Sequence, residues 1–309
     1  MRKIFAWLLV VVFVGGVGLA FWSGGVFAKT DGTNVYVLGD KPKRIEGFMD
    51  PGDSYASEIE VLNSNDERVT VTVTPRPYSF ELSGREYLPN FTSQSGRTEF
   101  SKWIVFPEGE EYKIEPGETK KIGYEFTVPQ GALSGSQAAA ILVHTVTGTE
   151  GQAVDKNIAA ESSYGYIIHV NINGDDIKEE GKVLSWETDG LTFNPVIRTF
   201  SLIENTGNVS FTSNYKLQVM DMIRGNKLVY ETDKNADVLA ESKRTVTHNW
   251  DKAPRLGIFK VKQTVTYLKE TEEFSKTVII CPLWLIILVA LLIVFAVVAI
   301  VGPRRKRKA

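Results

Sequence analysis

The side chains here that could carry chemistry are three histidines, one cysteine and a few hydroxyl and acid clusters. His144, His169 and His248 fall in three separate strand-like patterns, none with a Cys, His or carboxylate at ligand spacing, so the spacing predicts no zinc site. His169 is expected on the polar face of its strand and His248 on the apolar one. Ser213-Asn214-Tyr215-Lys216 matches the SxxK pattern of penicillin-recognising enzymes. That chemistry needs a helix to bring Ser and Lys onto one face, whereas the local pattern is a strand, in which positions three apart point to opposite faces. Asn173-Gly174-Asp175-Asp176 could form a weak calcium loop, or simply a solvated linker. Asn90-Phe91-Thr92 and Asn208-Val209-Ser210 are glycosylation sequons, relevant only in a host with that machinery. There is no P-loop, dinucleotide fingerprint or nucleophile elbow. The inventory predicts no enzyme, no catalytic residue, no metal and no cofactor.

A different kind of chemistry is offered by the segment from Tyr78 to Phe106. It lacks regular alternation and carries Tyr78, Phe80, Tyr87, Phe91, Phe100 and Trp103. Long loops on rigid scaffolds often carry binding, and aromatic rings are favoured anchors, so these six are the candidate binding residues. The alternative is that the rings plug the end of a sandwich or form a short extra hairpin. Gly131 to Gln137 is a small-residue stretch, read as a connecting loop that permits close approach.

The elements that must position these side chains are strands. Val69, Val71 and Val73 alternate with Thr70, Thr72 and Thr74, and Tyr215, Leu217 and Val219 with Lys216 and Gln218. Phe259, Val261, Val265 and Tyr267 repeat the pattern. Each run puts one face in a core and the other in water. Asp50-Pro51-Gly52-Asp53 and Glu115-Pro116-Gly117-Glu118 are turns that each precede a strand. Asn63-Ser64-Asn65-Asp66 and Asn205-Thr206-Gly207-Asn208 are expected as hairpin turns between paired strands. The fold class predicted is all-β: two immunoglobulin-like β-sandwich domains followed by one C-terminal transmembrane helix. Thr119-Lys120-Lys121-Ile122-Gly123-Tyr124 also echoes Lys243-Arg244-Thr245-Val246, which is either duplication or shared sandwich grammar.

Both ends are apolar. Residues 1–28 have a basic start, an apolar run and small residues before Lys29, the layout of a signal peptide cleaved between Ala28 and Lys29; an uncleaved signal-anchor is the rival. The run from Thr277 to Pro303 carries no charge and is followed by Arg304, Arg305, Lys306, Arg307 and Lys308. Its apolar part spans about 36 Å as a helix, enough for a hydrocarbon core of ~30 Å. Cations beyond it hold the tail in the cytoplasm. Cys281 falls at the outer edge of that span and is read as a buried small hydrophobe. The predicted organisation is signal peptide 1–28, first sandwich 29–173, linker 174–181, second sandwich 182–277, transmembrane helix 278–302 and basic tail 303–309. The predicted location is the cell membrane, single-pass, with the ectodomain extracellular. A single cysteine permits no intramolecular disulfide, which suits an exported bacterial chain. Without the seven terminal cations, 28 basic residues face 37 acids, a net of −9. This argues against nucleic acid as a partner. No LPxTG-type pentapeptide precedes the span, so wall attachment by a sortase is not expected.

The chain resembles the WxL-interacting proteins of Gram-positive bacteria. The likeness rests on Pro51-Gly52 followed by the strand from Tyr55 to Leu62 ending in Asn63, and on Trp103-Ile104-Val105-Phe106-Pro107. It continues through Tyr112 to Glu118, Tyr124 to Pro129 and, after Gly135, Ala138 to Val146, with Phe193-Asn194-Pro195-Val196-Ile197 in the second unit. The turn Phe48-Met49-Asp50-Pro51-Gly52 departs from the family's version. The resemblance implies a first domain that binds cell-wall peptidoglycan and a second that meets a partner surface, with WxL-type surface proteins as associates and membrane lipid contacted through the span. A structural or accessory scaffold subunit of a membrane complex is the alternative function.

Overall fold

The computed structural model describes residues 35–38, 43–147 and 161–305; the expected signal peptide, its Ala28–Lys29 cleavage site and the last four residues of the tail lie outside them. The alternating runs form strands with the predicted faces. Along Val69–Pro77, for example, the valines are buried and the threonines half-exposed, and each buried aliphatic chain contributes roughly 1.5–3 kcal/mol.

In chain order the first group comprises β1 (Val35–Leu38), β2 (Lys43–Met49), β3 (Ser54–Asn63) and β4 (Val69–Pro77), then a hairpin of β5 (Ser79–Ser83) and β6 (Glu86–Asn90). A 3-10 helix (Gly96–Lys102) follows, with β7 (Glu111–Ile114), β8 (Thr119–Thr127), β9 (Gly135–Thr147) and β10 (Glu161–Ile172). The second group comprises β11 (Gly181–Thr188), β12 (Leu191–Thr192), β13 (Ile197–Asn205), β14 (Phe211–Asp221), β15 (Lys227–Val238), β16 (Lys243–Trp250), β17 (Gly257–Tyr267) and β18 (Glu270–Ile280). Helix α1 (Leu283–Arg305) ends the described chain.

Each group makes one sandwich of a three-stranded and a five-stranded sheet. The orders are β1-β3-β8 with β2-β10-β9-β4-β7, and β11-β13-β16 with β12-β18-β17-β14-β15. Strand for strand the two are the same. In both, the first strand switches sheets, and its second half pairs parallel to the last strand. The echo noted in the sequence falls on the equivalent strands β8 and β16, so the repetition extends to topology.

The asparagine turns depart from expectation. β3 and β4 lie in different sheets, as do β13 and β14, so Asn63–Asp66 and Asn205–Asn208 are arches across the sandwich rather than hairpin turns. Their chemistry shows why. Asn63 is fully buried and its amide donates to the carbonyls of Glu67 (2.9 Å), Ile114 (3.0 Å) and Glu115 (3.1 Å), while its oxygen accepts from Asn65 N. Asn205 does the same with Val209 O (2.8 Å), Val238 O (3.3 Å) and Gly207 N (2.9 Å). A turn-forming residue here reaches inward to satisfy backbone groups that the crossing would otherwise leave unpaired.

The first core is continuous, built on Ile59, Val61, Ile122, Tyr124, Ile141 and Ile168 among others. The second divides into two clusters, one around Leu217, Trp250 and Phe259, the other around Ile203, Tyr215 and Val265. Also buried in this sandwich, Gln263 accepts from Trp186 Nε1 (2.7 Å) and donates to Ser201 Oγ (2.8 Å), tying the two sheets together.

Two boundaries shift. Val278, Ile279 and Ile280 belong to β18, paired with Phe259, Ile258 and Gly257, rather than to a helix. A β-branched apolar run suits a strand as well as a span, and only the neighbouring strand decides. The helix starts at Leu283 and has 23 residues with large apolar side chains exposed all round. Taken over the described side chains alone, which end at Val298, no helix is long and apolar enough to cross a membrane; the helical backbone continues to Arg305. Cys281 is half-buried.

Replacing Asn205 by Ala is expected to lower stability by roughly 2–4 kcal/mol in urea unfolding, because buried carbonyls lose their donor. Asn205→Asp keeps the shape, loses both donors, and is expected to do no better.

Candidate functional site

The six aromatic residues do not form a free binding loop. Phe100 lies in the first core, its ring 4.7 Å from Phe126 and 5.6 Å from Trp103, which is itself half-buried against that core. Tyr78 is buried against Ala138, Ala140 and Leu239, with Phe80 and Phe91 packed on either side at 5.6 and 5.7 Å. The segment also has more regular structure than its sequence suggests: β5 and β6 pair as a hairpin, and the 3-10 helix follows.

That hairpin lies along the outer face of the three-stranded sheet of the second sandwich. Tyr87 N donates to Thr245 Oγ1 (3.3 Å), Thr247 Oγ1 to Glu86 Oε1 (2.9 Å), and Arg85 pairs with Glu187. The Arg244 guanidinium sits 4.5 Å from the centre of the Phe80 ring. Such contacts act as a strap between the sandwiches.

Beside the strap the two sandwiches meet directly. Ser136 N donates to Asn208 O (2.7 Å), and Ser136 Oγ accepts from Ser210 N (2.8 Å) and donates to Asn171 Oδ1 (2.6 Å). Gly135 has φ +89°, and a methyl there would fall inside contact distance of the Asn208 carbonyl. The small-residue stretch therefore does permit close approach, but Gly135 to Gln137 do so as the start of β9 rather than as a connecting loop. Asn208 is 6 % exposed, donates to Asp176 O and accepts from Lys178 N. Its sequon is thus enclosed by the joint, and the segment expected as a solvated linker is hydrogen-bonded into it. Asp176 also accepts from Ser134, and among the described residues no cluster of three metal-ligating side chains occurs.

A cleft of about 390 Å³ opens between strap and joint. Its lining includes Tyr78, Phe80 and Tyr87 with Ser93, Ser95, Ser136, Ser210 and Ser242. Tyr78 and Ser136 are themselves buried, and the hydroxyls of Ser136, Ser210 and Ser242 are engaged within the protein. Arg97 Nη2 meets Glu241 Oε1 at 2.6 Å across it, from one sandwich to the other. Glu241 adopts φ 55°, a left-handed conformation that non-glycine residues reach only when their surroundings impose it. Rings, hydroxyls and a planar charge pair can hold a polyhydroxylated or peptide ligand by stacking and hydrogen bonds. Sequence reading did not single out Arg97 or Glu241; Ser136 lay in the stretch read as permitting close approach, and Arg244 only in the internal echo. The hydroxyl-rich run Ser93-Gln94-Ser95-Gly96-Arg97 is the one local signal that could have drawn attention to the first.

His169 departs from its predicted exposure. It is 5 % exposed because the Tyr78 ring (centroid 6.2 Å away) covers the outer face of β10. Burial, then the nearby Arg44 and Arg244 cations, lower its pKa to about 4 despite Asp237. Arg44 itself bridges the sandwiches to Asp237 at 2.5 Å. His248 is fully buried, as its apolar-face position predicts, and burial lowers its pKa to about 4 as well. His144 Nδ1 lies 3.0 Å from Ser163 Oγ on the outer face of the five-stranded sheet, outside the cleft. Ser213 Oγ donates to the Ala236 carbonyl inside the second sandwich, while Lys216 faces outward to Glu231, as strand geometry requires.

No family model matches the sequence, and no curated protein matches it. Among solved structures the chain is similar to the class 5 fimbriae chaperone CfaA, at 10% identity over 79% of this chain and 99% of that one, with a TM-score of 0.38. It is also similar to a chain of the CsuC–CsuE chaperone–tip adhesion subunit complex of Acinetobacter baumannii (12%, 78% and 98%, 0.37) and to the E. coli chaperone DraB (14%, 79% and 98%, 0.36). At these scores the likenesses carry no argument about what this chain does. The architecture above defines it as a two-sandwich, immunoglobulin-like all-β protein.

Two outcomes are expected. Gly135→Ala should lose roughly 1–3 kcal/mol of stability and enlarge the radius of gyration in X-ray scattering, whereas Gly123→Ala, which meets nothing within 4 Å, should change neither. Both buried histidines are neutral when folded, so on acidification the unfolded chain takes up protons first. Stability should fall between pH 6.5 and about 4, by up to about 3 kcal/mol per histidine. His169→Gln should show a shallower decline of Tm over that range.

Proposed function

We propose that this is a non-catalytic, single-span surface protein whose two sandwiches form one binding body held close to the cell membrane. The observation that carries this reading is helix α1. It leaves β18 after only Cys281 and Pro282, and Arg304 and Arg305 end it. With 23 residues it measures about 34 Å, against a hydrocarbon core of ~30 Å. Trp284 near its start suits the interface, and the cations at its end suit the cytoplasmic side. The ectodomain is then extracellular.

The ligand is proposed from two sources. The cleft is lined by aromatic residues and serines, residue types that hold sugars or extended peptides, and the resemblance to WxL-interacting proteins points to peptidoglycan, with WxL-type proteins as further partners. A scaffold role in a membrane complex is the second reading, favoured by the engagement of Tyr78, Phe80 and Phe91 inside the molecule.

Full-length protein in detergent is expected to pellet with insoluble peptidoglycan at moderate salt, and Arg97→Ala to weaken that retention. Protein that stays in the supernatant would remove the wall-binding reading and leave surface proteins as partners.

A further inference from the structure

The end of the second sandwich from which α1 leaves differs from the rest of its surface. Three connections converge there: the stretch from β11 to β13, the turn from β14 to β15 and the loop from β16 to β17. Leu191, Phe193, Met222, Ile223, Leu256 and Ile279 are all exposed on them or beside them. Apart from α1, Ile223 (68 %) and Leu256 (58 %) are the most exposed large apolar side chains among the described residues. The turn that presents Ile223 is built to do so. Asp221 accepts from Ile223 N (2.9 Å) and Arg224 N (3.2 Å), and Gly225 and Asn226 both take left-handed conformations. Arg224, Lys227, Lys252 and Arg255 flank these residues, in an ectodomain that is otherwise acidic. The acids at the same end are Asp189, Asp251 and Asp221, the last of which is largely enclosed by its own turn.

The chain is held tightly up to the helix. Ile279 N donates to Gly190 O (2.9 Å) and Cys281 N to Thr192 O (3.0 Å), so no loose tether separates sheet from helix. From Ile280 to Leu283 the backbone can reach only about 10 Å. We propose that this end of the second sandwich is a membrane-docking surface. Ile223 and Leu256 enter the headgroup layer, and the four cations meet the phosphates of an anionic phospholipid surface. The inference rests on the single-span reading, because a helix spanning from Leu283 brings these loops to the headgroups. Apolar loop tips flanked by cations are what an anionic interface accepts, and a rigid sandwich seated in this way would present its other end outward at a fixed height.

The test uses the full chain. Cys281 is its only cysteine, so Cys281→Ser gives a background for single labels. An environment-sensitive fluorophore is placed at Ile223→Cys, at Leu256→Cys and, as a control at the opposite end of β17 and β18, at Lys269→Cys. Each protein is reconstituted into vesicles of phosphatidylcholine with phosphatidylglycerol and into phosphatidylcholine alone. The expected result is blue-shifted emission at 223 and 256, with iodide quenching severalfold below that at 269 and strong quenching by doxyl-labelled lipid. The shift should shrink in the neutral vesicles and in a variant carrying Arg224→Glu, Lys252→Glu and Arg255→Glu. Protein that resists carbonate extraction but shows the same iodide quenching at 223, 256 and 269 would overturn the docking surface while leaving the span intact. Extraction of the protein by carbonate would overturn both.

Discussion

The constraint on which both sandwiches depend is the crossing from one sheet to the other after β3 and after β13. Every strand pairing beyond that point requires the chain to pass over the edge of a core without stranding backbone amides and carbonyls. One buried asparagine solves this each time. Asn63 and Asn205 end their strands, turn their carboxamides inward and satisfy two or three carbonyls along with an amide of the arch. Neutral amides supply donor and acceptor together, which no aliphatic or carboxylate side chain of that size can do.

The second crossing has a further consequence. The arch that Asn205 organises continues into Gly207 and Asn208, and those residues receive Ser136, Lys178 and Glu180. The joint between the sandwiches is therefore built on the same turn that closes the second fold. It is short, rich in backbone hydrogen bonds and intolerant of an added methyl at Gly135. The β5–β6 strap adds a second attachment some distance away, with the Arg44–Asp237 pair beside His169 as a third. Three attachments on different strands leave little freedom for a hinge beside the cleft.

Helix α1 follows from a different principle. It has no polar face, so it cannot pack as the side of a soluble core while leaving its other side in water. Its connection to β18 is too short to let the sandwich swing away from wherever the helix resides. On the proposed membrane docking, the exposed apolar tips at that end would meet an interface that accepts them, whereas in water an exposed apolar patch is a liability.

By itself the sequence determined what is local. Alternation along Val69–Pro77 or Phe211–Asp221 specifies strands and their buried faces, Pro-Gly pairs place turns, and an unbroken apolar run specifies a helix without a wet side. These are properties of neighbouring residues with a period of two or of none. The tertiary structure alone decided which sheet each strand joined, so the asparagine turns proved to be arches. It also decided that Val278–Ile280 would extend a strand, and that the aromatic segment would strap one sandwich to the other. His169 stood on a strand's polar face and was buried because another segment came to lie over it. The reason is that these outcomes depend on partners far away in the chain, such as Tyr87 and Thr245, 158 positions apart. Pattern within one segment carries no record of what will be laid across its outer face.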